Sequence, residues 1–82
     1  MTRIWTLKSN QCVVSNFSLK SLVNSFMLHA AMHDIKPGMF TLVVHKASHD
    51  PETGYWEETK ETDFWIDPVE GAEVIYEVLK NV

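Results

Sequence analysis

The hydrophobic period of this chain changes abruptly at Pro37 and Gly38, and this change constrains its fold more than any other feature. In residues 17–33 the apolar side chains recur at the three- and four-residue steps of an amphipathic α-helix. Residues 39–46 are instead a continuous run rich in β-branched side chains, which is typical of a strand. Proline disfavours helix at the residue before it, and glycine permits a sharp reversal. The sequence therefore predicts a helix followed directly by a strand.

Further strand-like segments lie on either side of this helix–strand unit. Residues 3–7 alternate with the two-residue period of a strand, and residues 11–14 are predicted to pair back on them as a short second strand. Residues 48–54 contain an Asp-Pro step and a closing glycine, which predicts a hairpin loop with a left-handed residue at Gly54. The partner strand is predicted to begin at Tyr55. Because its middle is polar on both faces, we expect it along an edge of the sheet or beyond the sheet.

A second helix is predicted over residues 68–81. Asp67 can cap its N-terminus, and Pro68 suits its first turn. The resulting order is β(β)αββα, an α+β fold in which a three- to four-stranded, mainly antiparallel sheet carries two helices. With 82 residues, the chain is predicted to form one small domain over residues 1–82.

Composition and motif spacing point away from several classes of protein. Cys12 is the single cysteine, so no intramolecular disulfide can form. Together with the lack of a signal-peptide pattern, this predicts a cytoplasmic protein. The three glycines are isolated, and none precedes a Lys-Ser or Lys-Thr pair, so we expect no phosphate-binding loop and no cofactor. No apolar run approaches the roughly 20 residues of a membrane span, so no span is expected.

The charged residues are distributed unevenly along the chain. Up to residue 46, five basic residues face only Asp34, whereas from residue 47 onward two lysines face ten carboxylates. The basic residues are scattered rather than clustered, so nucleic-acid binding is not expected. An acidic flank favours a basic protein partner through electrostatic steering. Mimicry of a nucleic acid by these carboxylates is one alternative.

His29 and His33 have the spacing of a metal-binding pair. Residues four apart on a helix can bring two imidazoles to one ion. Alanine follows His29 where the zincin motif has its glutamate, so no general base accompanies the pair. A small metal-dependent enzyme or metal-binding protein built on these histidines is therefore a second alternative. Our prediction assigns no metal site and no catalytic residue.

The predicted helices carry more apolar surface than one sheet requires. Apolar side chains cover about 200° of the second helix at 100° per residue, and Leu28 and Met32 lie outside the core-facing stripe of the first. Either the helices pack on each other, or part of this surface contacts another chain, as in a homodimer. The function predicted is a non-enzymatic protein-binding module, an inhibitor or regulator that occupies the surface of a partner protein.

The predicted binding residues combine apolar anchors with an acidic flank that guides encounter. They are Trp5, Leu28, Met32, Trp56, Glu57, Glu58, Glu61, Asp63 and Trp65. In general character, as a small aromatic-rich chain without catalytic apparatus, the protein resembles the accessory proteins of phages and mobile elements, although no motif identifies a family.

Overall fold

Four strands form one antiparallel sheet in the computed structural model, which describes residues 2–81. The elements are β1 (Thr2–Lys8), β2 (Val13–Asn16), α1 (Leu19–Met32), β3 (Gly38–Asp50), β4 (Gly54–Ile66), a 3-10 turn (Pro68–Glu70) and α2 (Ala72–Leu79). The strands lie in the order β2-β1-β3-β4, and each neighbouring pair is antiparallel. The predicted α+β fold is therefore confirmed, with all four strands present and β4 at an edge.

The first helix begins at a serine cap. Ser18 has extended backbone angles, and its Oγ accepts a hydrogen bond of 3.1 Å from the N–H of Ser21. This bond supplies a partner for one of the first-turn N–H groups, which have no acceptor within the helix. The helix ends at Met32, so it is slightly shorter at both ends than the predicted segment of residues 17–33.

The second strand lies two residues later than residues 11–14, the segment predicted for it. Gln11 does not enter the strand, because it belongs to the turn between β1 and β2. The N–H of Ser9 donates to the Cys12 carbonyl at 2.9 Å, and Gln11 donates its own N–H to Ser9 Oγ at 3.0 Å. The side chain of Gln11 binds the backbone of Lys36. Its Nε2 donates to the Lys36 carbonyl at 2.8 Å, and its Oε1 accepts from the Lys36 N–H at 2.7 Å. The amide of Gln11 thus ties the β1–β2 turn to the segment that leads into β3.

The hairpin of β3 and β4 is longer than predicted. Each strand contributes 13 residues, and the loop shrinks to residues 51–53. Asp50 Oδ1 accepts from the N–H of Glu52 at 2.8 Å, a bond that lowers the pKa of Asp50. Gly54 has a φ of 93°, which confirms the left-handed residue predicted there. Within residues 2–81, β1 pairs with β3 as far as Ala47, so the last residues of the hairpin extend beyond this described pairing.

The last helix is interrupted, so the prediction of one helix over residues 68–81 is wrong. Asp67 caps the 3-10 turn as expected, its Oδ1 accepting from the N–H of Val69 at 3.0 Å. Gly71 then has φ 95° and ψ 167°, which is far from helical geometry. The chain therefore changes direction at Gly71, and α2 begins only at the next residue.

Both helices cover one face of the sheet. The core combines alternate strand residues with one stripe from each helix: Leu7, Leu22, Val23, Phe26, Phe40, Leu42, Val44, Ile66, Ile75 and Leu79. The helices also contact each other, and this contact uses part of the apolar surplus noted above. Within residues 2–81, no helix covers the other face. We call this the open face; its central side chains are Ile4, Thr6, Lys8, Met39, Thr41, Val43, His45, Glu57, Thr59, Glu61, Asp63 and Trp65.

Candidate functional site

Two large apolar side chains lie side by side at one end of the open face. Met39 of β3 and Trp65 of β4 are cross-strand partners, and they are 57% and 63% exposed. Directly opposed residues of neighbouring strands have Cβ atoms about 4.5–5.5 Å apart, so these side chains form one continuous patch. Their exposure follows from strand alternation, because the adjacent Phe40 and Ile66 point into the core. Met39 was not among the predicted binding residues. Its exposure could have been predicted, because it alternates with Phe40 along the strand and so points to the opposite face.

Polar cross-strand contacts continue the open face from this pair. Thr41 Oγ1 donates to Asp63 Oδ1 at 2.7 Å, and Lys8 Nζ lies 3.6 Å from Glu61 Oε1. An exposed ion pair such as Lys8–Glu61 stabilises a fold by only about 0–1 kcal/mol. Strand alternation places both carboxylates on the same face as Trp65, and these contacts orient them there.

Glu57 is held at the opposite end of this face by two neighbours. The phenol of Tyr55 donates to Glu57 Oε2 at 2.5 Å, and His45 Nε2 lies 3.7 Å from the same oxygen. His45 Nδ1 is also 2.9 Å from Thr59 Oγ1. The hydrogen bond to Glu57 raises the pKa of Tyr55, because the phenol would lose this bond on ionisation.

Three of the predicted residues lie on the helix side of the sheet instead. Trp56 and Glu58 point to that side from the hairpin, and Trp56 is 47% exposed. Trp5 packs partly against the core, with the guanidinium carbon of Arg3 at 5.3 Å from its ring centroid. These side chains are separated from Trp65 by the thickness of the sheet. They cannot contribute to the same flat contact.

Leu28 and Met32 form a third surface on α1. They are 64% and 71% exposed and lie four residues apart, as neighbours on the helix. Because α1 lies on the covered side of the sheet, this stripe faces away from the patch at Trp65. Of the predicted binding residues, Glu57, Glu61, Asp63 and Trp65 lie on the open face, with Trp65 and Glu57 toward opposite ends of it.

The histidine pair of α1 and the single cysteine are the other candidates for site chemistry that the sequence offered. The rings of His29 and His33 are adjacent, with centroids 4.5 Å apart. Among residues 2–81, however, no group of three or more His, Cys, Asp or Glu side chains is arranged to hold a metal ion. Two imidazoles are fewer than the three protein ligands of a catalytic zinc site. Burial raises the pKa of the Cys12 thiol, which makes its nucleophilic thiolate less available.

A shallow groove lies between α1 and α2. Its lining includes Val23, Ala72 and Tyr76, with Lys20, Glu73 and Glu77 at its rim. The groove is mainly apolar and open to solvent, and Val74 and Val78 extend its apolar surface. It is thus a further exposed surface of the helix layer, separate from the open face.

Comparisons with protein-family models, with curated proteins and with solved structures find no match to this chain. In the part of the chain that the structure describes, neither helix has the length and hydropathy needed to cross a membrane. The function is therefore inferred from the surfaces themselves. The open face combines two large exposed apolar side chains, Met39 and Trp65, with three carboxylates that have hydrogen-bond or ion-pair partners, Glu57, Glu61 and Asp63.

Proposed function

We propose that the protein is a non-enzymatic binding module that inhibits or regulates a partner protein by covering part of its surface with the open face. The observation that carries this proposal is the side-by-side exposure of Met39 and Trp65. Aromatic residues and methionine are enriched at the centres of protein interfaces, where they fill pockets of the partner. Burying one large apolar side chain contributes about 1.5–3 kcal/mol, so this pair can anchor a contact.

The carboxylates beside this patch favour a basic partner. Glu61 and Asp63 precede Trp65 at two-residue steps along β4, so all three side chains lie in one row on the open face. Exposed charges at the rim of an interface act mainly on the rate of encounter, which rises when the partner carries the opposite sign. The proposal therefore includes association that slows as ionic strength increases.

Folding and binding use different faces of the sheet under this proposal. The buried core is made by helix-facing side chains, whereas Met39 and Trp65 lie outside it. A partner can therefore cover the open face without any rearrangement of the core. The single cysteine, Cys12, is consistent with the cytoplasmic location that we include in the proposal.

The proposal predicts that polar substitutions of the anchor pair abolish a specific interaction. The double variant Met39→Thr, Trp65→Ser should lose at least about tenfold in affinity, because interface anchors of this kind contribute more than about 1 kcal/mol each. The measurement is affinity capture from host extract with quantitative mass spectrometry. Calorimetric titration of the purified captured protein then gives the affinities of wild type and variant.

The matched control is the double variant Leu28→Ser, Met32→Ser, which removes two equally exposed apolar side chains from α1. It should keep the affinity for the captured protein. A partner that binds both double variants as tightly as the wild type would show that the open face is not the binding surface. Circular dichroism confirms that each variant is folded before it is compared.

The homodimer predicted from the sequence is a separate part of the proposal. Its candidate contact is the stripe of Leu28 and Met32 on α1, which leaves the open face free. Sedimentation at micromolar concentration tests it. A particle of twice 9.4 kDa that Leu28→Ser and Met32→Ser convert to monomer supports the dimer, and a wild-type particle of 9.4 kDa contradicts it.

A further inference from the structure

The outer edge of β4 is a long row of unpaired backbone groups. Within residues 2–81, β4 pairs with β3 on one side and with no strand on the other. Along an edge strand, N–H and C=O groups point outward at alternate residues and can pair with an additional strand. At 13 residues, β4 is more than twice the typical strand length of about 5–6 residues.

The usual structural protections of an edge strand are missing from β4. Each residue from Gly54 to Ile66 pairs with one residue of β3 and none is skipped, so the hairpin contains no β-bulge. The nearest prolines, Pro51 and Pro68, lie outside the strand. Charged side chains are the protection that remains, and they comprise Lys60 and four carboxylates. Such protection repels acidic strands but attracts basic ones.

The same charges oppose pairing of β4 with a second copy of itself. In an antiparallel pair centred on Lys60, the two lysines would face each other and Glu57 would face Asp63. Centring the pair on Thr59 instead places Glu57 opposite Glu61 and Glu58 opposite Lys60, so the repulsion on one face offsets the attraction on the other. Like charges directly opposite each other on neighbouring strands are destabilising. The edge is thus suited to a strand of different sequence.

We propose that β4 accepts an extended basic segment of a partner protein as a fifth, antiparallel strand, a mode of contact that rests on the protein-binding function proposed above. Antiparallel addition continues the pattern of the existing sheet. Backbone hydrogen bonds to the edge hold the segment, and the side chains on the open face select its sequence.

The register of the open face specifies the sequence pattern of that segment. An antiparallel strand meets Trp65 first, then Asp63 and Glu61, and finally Glu57, each on the same face. An apolar residue suits the first of these positions, and lysine or arginine suits the others. The matching segment therefore has an apolar residue at its first position and basic residues at its third, fifth and ninth positions.

The probe is a nine-residue peptide with leucine first, lysine at the third, fifth and ninth positions, and threonine elsewhere. Two controls accompany it. One moves the lysines to the second, fourth and sixth positions, so that they lie on the helix side of the sheet and not on the open face. The lysine at the sixth position then lies opposite Lys60. The other keeps every side chain but carries N-methyl groups on the amides that would donate to β4. The measurement is titration of the whole protein, followed by the backbone amide shifts in NMR spectra.

We expect the probe to shift and protect from hydrogen exchange the amides of β4, while those of α2 are unaffected. The N-methylated peptide should bind at least about tenfold more weakly, because two or more hydrogen bonds of about 0.5–1.5 kcal/mol each are lost. Loss of binding on N-methylation separates strand pairing from mere charge attraction. The peptide with displaced lysines should also bind more weakly than the probe.

Charge-neutralised variants test the role of the carboxylates. Glu57→Gln, Glu61→Gln and Asp63→Asn together should weaken probe binding by about tenfold, since exposed charge pairs contribute about 0.2–1 kcal/mol each. The control Glu70→Gln, Glu73→Gln and Glu77→Gln changes the net charge equally but lies outside β4, so it should bind like the wild type.

Three results would overturn strand addition at β4. These are equal binding of the N-methylated peptide, amide shifts that avoid β4, and protection of the β4 amides by a second copy in the absence of peptide. None of them depends on the affinity lost in Met39→Thr, Trp65→Ser. A partner that needs the anchor pair but leaves the β4 amides unprotected would retain the proposed function and refute this mode of contact.

Discussion

Replacing Phe26 with alanine is expected to lower the free energy of unfolding by about 3–5 kcal/mol, the usual cost of removing a buried aromatic ring. Phe26 is fully buried on the core-facing stripe of α1. Its ring meets that of Phe40 edge-on, with centroids 5.4 Å apart and planes at 80°. The substitution leaves a cavity where the helix and the sheet meet. Because small domains are stable by only about 5–15 kcal/mol, this loss is a large fraction of the total.

Urea denaturation followed by circular dichroism measures this effect, and Phe17→Ala is its matched control. Phe17 is 73% exposed just before α1, so its truncation removes a ring of the same size without leaving a cavity. We expect it to change the free energy of unfolding by less than about 0.5 kcal/mol. Similar losses in the two variants would show that the contact between α1 and the sheet is not the source of stability.

Large losses of stability such as that expected for Phe26→Ala should be confined to residues on the helix side of the sheet, because the core lies on that side only. Side chains of the open face, such as Met39 and Trp65, are left without partners in the core. Polar replacements there should therefore change binding far more than stability. Residues on the helix side of the sheet stabilise the fold, whereas residues of the open face are proposed to bind the partner. A loss of affinity in an open-face variant is therefore not expected to result from unfolding.

The elements of this fold were predictable because local signals agree with tertiary packing. The helical period before Pro37, the β-branched run after it and the left-handed turn at Gly54 each specify one conformation. The limits of the strands were harder to predict. Ser48 and Asp50 have no strong strand preference, and they are extended because β4 pairs with them in register.

The position of β2 depended on the length of the turn before it. Residues 9–12 form this turn, in which the N–H of Ser9 donates to the Cys12 carbonyl and the N–H of Gln11 donates to Ser9 Oγ. The prediction used only Ser9 and Asn10 as the turn, so its strand began two residues too early. In the first strand, alternation alone predicted that Trp5 and Leu7 share a face, but it did not show that the helices cover this face.

The candidate binding site was only partly predictable for a related reason. The sequence shows which residues are apolar or acidic, but which of them share a surface depends on the face that the helices cover. Trp56 and Trp65 are both exposed tryptophans of β4, yet they point to opposite sides because they lie nine positions apart, which is an odd number of steps along a strand. Leu28 and Trp65 are likewise apolar and exposed but lie on different layers of the molecule. A prediction based on residue type alone therefore groups into one site side chains that lie on different surfaces of the fold.

Replacing Gly71 with alanine is expected to lower the free energy of unfolding by about 1–3 kcal/mol, the cost of holding a side chain in a backbone region that only glycine occupies readily. No heavy atom lies within 4 Å of the position that the new Cβ would take, so the cost arises from the backbone itself, with its φ of 95°. The carbonyl of Gly71 also accepts the N–H of Ile75 at 3.2 Å. Relaxing the strain would therefore disturb the first turn of α2.

The control for this substitution is Gly38→Ala at the start of β3. Among residues 2–81, the glycines with positive φ are Gly54 and Gly71, so Gly38 has a backbone that alanine can adopt. Its added Cβ would lie 3.8 Å from Gln11 Nε2, an ordinary contact distance. Because alanine restricts the unfolded chain, we expect this variant to be within about 1 kcal/mol of the wild type in urea denaturation. Equal losses for Gly71→Ala and Gly38→Ala would mean that the chain can pass from the 3-10 turn into α2 without a left-handed residue, as in the continuous helix that the sequence alone predicts.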